Sequence, residues 1–113
     1  MAKRGTPFDK LLTEAVDGAL LCLGDSARQA IYFHLEEKFR ITKGEIPNQL
    51  DSFKAGLEKI FGASGATYLE ILIMKELYEK IEEPLEWNET KDLAFVDYVT
   101  AAKQSYSRTK KQT

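Results

Sequence analysis

From Tyr68 to Ile81 the chain reads Tyr-Leu-Glu-Ile-Leu-Ile-Met-Lys-Glu-Leu-Tyr-Glu-Lys-Ile, with no glycine or proline inside the run. At helical spacing Leu69, Ile73, Leu77 and Ile81 share one face. Tyr68, Ile71, Leu72, Met74 and Tyr78 widen that face on both sides. A helix so apolar around its circumference has to be covered, either by other helices of the same chain or by another subunit. This requirement points to an all-α fold, a compact bundle of about five helices.

The rest of the chain supplies the partners. Thr6-Pro7-Phe8-Asp9 is a helix start: Thr6 at the N-cap, Pro7 where its missing N–H is harmless, and Asp9 near the positive end of the dipole. Phe8, Leu11, Leu12, Ala15, Val16, Ala19, Leu20 and Leu23 recur at helical spacing until Gly24 stops the run. Asp25 or Ser26 caps a second helix, with Ala27, Ala30, Ile31, His34, Leu35 and Phe39 facing inward. The short joint at Gly24-Asp25 favours a tight helix pair.

Periodicity vanishes from Arg40 to Gln49, a loop that Ile41 and Ile46 pin to the core, with Pro47 biasing Ile46 away from helix. A third helix runs from Asn48 or Asp51 to Phe61, with Leu50, Phe53, Leu57, Ile60 and Phe61 inward. Gly62 ends it, and Ser64 or Gly65 opens the apolar helix, which Glu82-Glu83-Pro84 closes. In the final segment Leu93, Val96 and Thr100 alternate with Phe95, Val99, Ala102 and Tyr106, which predicts a helix. Its richness in strand formers makes a short strand the competing reading. The expected organisation is a flexible basic N-terminus over 1–5, one helical domain over 6–106 and a flexible basic tail over 107–113.

Size and charge narrow the function classes. A chain of 113 residues can bury enough apolar surface for a core without metal or disulfide staples. No run approaches the roughly 20 apolar residues of a membrane span, and the basic N-terminus is not followed by the apolar stretch of a secretory signal. Cys22 is the only cysteine, which fits a reducing cytoplasm and the behaviour of a small buried hydrophobe. Positions 5 to 102 carry ten basic against eighteen acidic residues, so the body is acidic between basic ends. An acidic body repels phosphate, which makes nucleic acid an unfavoured partner.

Signals for chemistry are sparse. One histidine and one cysteine cannot make a structural zinc site, so neither metal nor cofactor is expected. Gly62-Ala63-Ser64-Gly65 lacks the Lys-Ser/Thr of a nucleotide loop and reads as an interhelical turn. His34 reads as a core histidine rather than a general base, having no nucleophile beside it. Glu70 interrupts the apolar run. It reads as a partly exposed first-turn residue that gains from the helix dipole, against the alternative of a ligand carboxylate or half of an intersubunit ion pair. Trp87 with Pro84 and Leu85 either plugs the connector onto the bundle or forms an exposed hot spot. No catalytic residue is assigned.

Several segments, in order, resemble the Nitrosopumilus output domain family of small archaeal proteins. They are Ala30-Ile31-Tyr32-Phe33-His34-Leu35-Glu36-Glu37-Lys38-Phe39, Glu45-Ile46-Pro47, Leu57-Glu58-Lys59-Ile60-Phe61-Gly62, Lys75-Glu76-Leu77-Tyr78-Glu79-Lys80 and Phe95-Val96-Asp97-Tyr98-Val99. The resemblance spans about Leu11 to Tyr106 and implies a stand-alone output-type module of signal transduction, with no catalytic motif to carry over. The expectation is a cytoplasmic, non-enzymatic protein-interaction module, able to homodimerise, with a nucleic-acid-binding regulator as the alternative. A small-molecule sensor with a pocket inside the bundle near His34 and Glu70 is a third possibility. The interface candidates are Tyr68, Ile71, Leu72, Met74, Tyr78, Trp87, Phe95 and Tyr98.

Overall fold

A computed structural model describes residues 7–83 and 95–111, with side chains through 107. The expectations for Thr6, for Trp87 and for the 1–5 tail lie outside the described residues. The described elements are α1 (Pro7–Leu21), α2 (Asp25–Phe39), a 3-10 turn (Lys43–Asn48), α3 (Leu50–Lys80) and α4 (Phe95–Lys111), with no strand among them. The fold is all-α.

Helix α1 buries Phe8, Leu12, Ala15, Val16, Ala19 and Leu20, a stripe at the spacing the sequence predicts. It ends at Leu21, two residues before the last apolar position of the run, and Gly24 turns the chain at φ 105°. Leu23 and Cys22 therefore fall in the turn and are exposed, which overturns the reading of Cys22 as a buried hydrophobe. Helix α2 buries only Ile31 and Leu35. Ala30 and His34 face solvent, so the expected broad inner face is a narrow one and His34 is not a core residue.

Past α2, Arg40 adopts a left-handed conformation and the Ile41 N–H bonds back to the Leu35 carbonyl. This reversal sends Ile41 inward, and Ile46 follows from the 3-10 turn; both are buried. The anchoring role expected of the two isoleucines is what the structure shows. Its ordering device is a capping box between Thr42 and Glu45, which satisfies amide groups at the start of the turn.

Helix α3 is made of two helices joined at a kink. Gly62 sits at φ 78° and ψ 172°, outside helical space, and divides the helix into arms of residues 50–61 and 63–80. On a straight helix residues 54 and 70 would stand about 24 Å apart, yet Lys54 Nζ lies 3.8 Å from Glu70 Oε2. The arms therefore close back on one another, which agrees with the two helices expected on either side of Gly62. Counting them separately gives five α-helical segments among the described residues. Phe53 and Leu57 from the first arm and Leu69, Ile73, Met74 and Leu77 from the second are buried. Phe61, expected inward, is exposed at the bend.

The second arm supplies the fold's centre. Helix α1 runs beside it in antiparallel register, with Glu14 opposite Lys80 and Glu76 filling the space above Gly18. Helix α4 covers another side: the Tyr78 hydroxyl donates to the Tyr98 carbonyl at 2.9 Å, and Phe53 meets Phe95 at 6.4 Å between ring centres. Phe95, Tyr98, Val99 and Ala102 form the buried stripe of α4. From Phe95 onward the final segment is thus helix and not strand, and it continues to Lys111 rather than fraying after Tyr106. The greasy face of the second arm is covered chiefly by its own chain.

Candidate functional site

Three features stand apart from ordinary packing: a buried carboxylate, an apolar end of the molecule, and a basic groove. The carboxylate is Glu70, which is only 7% exposed. The Gly62 bend carries it off the surface position expected for a first-turn residue and sets it against the first arm. There Lys54 divides its charge between Glu58 at 2.8 Å and Glu70 at 3.8 Å, and Glu70 Oε2 accepts no hydrogen bond. Burial pushes the Glu70 carboxyl up, Lys54 draws it back down, and Glu58 adds to the rise; the net shift is upward.

The sign of the pH effect follows. A carboxyl raised above its unfolded value favours the fold while protonated, and that contribution is lost as pH climbs through the folded value. Glu70→Gln removes the ionising group. Thermal melts should show the variant gaining on the parent between pH 4 and pH 7, the gap being wider at pH 7. A gap independent of pH would contradict the burial argument.

A second carboxylate has the opposite surroundings. Asp17 of α1 accepts from Arg28 Nη1 at 2.9 Å, from the Tyr32 hydroxyl at 3.0 Å and from Lys43 Nζ at 3.1 Å. Burial alone would push it up, but hydrogen bonds from Lys43, Arg28 and Tyr32 outweigh that and hold it below the usual carboxylate range. The cluster ties α1, α2 and the 3-10 turn together, and leaves Arg28 Nε buried without a hydrogen-bond partner. Sequence reasoning missed it because its members are 11 and more residues apart.

Of the predicted interface residues, Met74, Phe95 and Tyr98 are buried in the chain's own core and are unavailable to a partner. Tyr78 is half-buried and engaged with Tyr98. Ile71 and Leu72 are half-exposed, and Tyr68 is 59% exposed. The antiparallel register that sets Gly18 against Glu76 carries the end of α1 to the same end of the molecule as Tyr68 and Leu72. Leu21 and Leu23 are there, 48% and 40% exposed. The sequence pointed to one half of this apolar end, the α3 half; Leu21 and Leu23 looked like the tail of a core stripe.

The groove lies between α2 and the first arm of α3. It is open, holds about 440 Å³ and is lined by His34, Lys38, Phe39, Lys59 and Ile60. Phe33, 63% exposed, stands next to it in sequence with its ring edge-on to that of His34 at 6.2 Å. It is an open surface groove and not the pocket inside the bundle expected near His34 and Glu70: His34 is exposed and Glu70 does not line it. Among the described residues no group of three His, Cys, Asp or Glu side chains could hold a metal ion. No described helix is long and apolar enough to cross a membrane. No family model, curated protein or solved structure matches the chain.

Proposed function

We propose that the chain is a non-enzymatic, cytoplasmic protein-interaction module of the output type in archaeal signalling or regulation, and that its first partner is a second copy of itself. The signalling context rests on the segments that resemble the output family. The single observation that supports docking is the apolar end of the molecule. Leu21, Leu23 and Tyr68 stay exposed although the core beneath them closes without their help. Exposed apolar side chains at one end of a molecule can cover those of a second copy, and a two-fold arrangement would lay this end against itself. The nucleic-acid alternative draws no support from α2, where the exposed Glu36 and Glu37 precede Lys38.

Light scattering at micromolar concentration is expected to give about twice the chain mass of 12.8 kDa. Tyr68→Lys combined with Leu21→Lys should return the monomer mass with an unchanged helical spectrum. A parent protein that is monomeric throughout would remove the self-association reading.

A further inference from the structure

We propose that the groove between α2 and the first arm of α3 is a binding site for a small amphipathic monocarboxylate, one carboxylate on a hydrocarbon body. This inference stands apart from the self-association reading, because none of the groove residues belongs to the apolar end. Its volume of about 440 Å³ falls within the range of small-molecule sites, roughly 300–1,000 Å³. Phe39 and Ile60 give it an apolar lining, one from each helix.

The floor is fixed by a glycine. A Cβ at Gly56 would lie 2.8 Å from Leu35 Cδ2 and 3.3 Å from Phe39 Cδ2, so the missing side chain is what lets these two residues rest on the α3 backbone. Phe39 is thereby held in place without a ligand, and a preformed surface reduces the ordering cost of binding.

Charge selects the occupant. Every ionisable group that lines the groove is basic or a histidine, with Lys38 on one wall and Lys59 on the other. Among the described residues Lys38 and Lys59 form no ion pair, a state they share with the exposed Lys10, Arg40 and Lys75; what sets them apart is that both line one groove. Two lysines and no acidic residue in the lining of a largely apolar groove match an anionic head with an apolar tail. Neither an arginine fork nor a helix N-terminus lines the groove, the usual means of gripping phosphate. Five lining residues are also too few for the i, i+3, i+4, i+7 anchors of a docked helix.

The test is a heteronuclear NMR titration of the full chain with octanoate, octanol and acetate. Octanoate should shift amide signals in α2 and the first arm of α3, with octanol and acetate each at least about tenfold weaker. Lys38→Gln with Lys59→Gln, both on exposed positions, should weaken octanoate by at least about tenfold, the equivalent of one charge-assisted contact, while leaving the helical spectrum intact. The monomeric variant carrying both Tyr68→Lys and Leu21→Lys should bind octanoate like the parent, which keeps this result independent of self-association. Shifts scattered over the whole surface, octanol binding as tightly as octanoate, or an unaffected double lysine variant would each overturn the assignment. So would an acidic peptide that perturbs the groove when octanoate does not.

Discussion

Ile73→Asp should abolish the cooperative thermal transition, while Leu72→Asp, one residue away, should fold and lose only self-association. Ile73 is fully buried in the second arm of α3, whereas Leu72 is half-exposed at the apolar end. An aspartate at 73 loses the packing of a large aliphatic side chain, worth about 2–5 kcal/mol, and also places an unpaired charge in the core. A domain of this size has a total stability of roughly 5–15 kcal/mol, so the combined loss removes most or all of it. At 72 the charge can reach water. Circular dichroism melts and light scattering on both variants would separate the two effects. A Leu72→Asp protein that still assembles would move the interface away from this end.

Gly62→Ala should destabilise by about 1–3 kcal/mol even though no atom lies in the way of the new methyl group. Nothing stands within 4 Å of a Cβ built at Gly62, so packing predicts indifference. The backbone predicts otherwise, because φ 78° with ψ 172° belongs to a region that essentially only glycine enters. Gly44→Ala is the control: its surroundings are equally open and its φ is not positive. Urea unfolding of the pair should show a large shift at 62 and a small one at 44. Equal shifts would mean that the bend tolerates a side chain and that α3 is held folded back by its contacts alone.

Much of this architecture is legible in the order of the residues. The stripe from Phe8 to Leu20 encodes α1 by local periodicity, and Gly62 marks the bend because a glycine between two apolar helical patterns is a local signal. The errors share a different origin. His34 and Phe61 fit helical spacing but are exposed, since which side of a helix is covered depends on how its neighbours cross it, and α2 is covered along one edge only. Glu70 followed the dipole argument for a first-turn residue. Its burial depends on the first arm returning to meet it, a contact across 16 positions that no local pattern contains. Met74, Phe95 and Tyr98 were good candidates for a buried surface, and they are one; the covering protein is the same chain. Of the groove, Phe39 and Ile60 stood out as apolar positions. Lys38 and Lys59 did not, because a surface lysine acquires meaning only from what stands opposite.

The exposed turn after α1 has a chemical consequence. Cys22 is the only thiol in the chain and lies between Leu21 and Leu23. If two molecules join at that end, their sulfurs are drawn into the same neighbourhood, and oxidation can lock the pair covalently wherever the geometry permits a bridge. Ageing in air would then convert a concentration-dependent equilibrium into a permanent species, reversible by dithiothreitol and absent from Cys22→Ser.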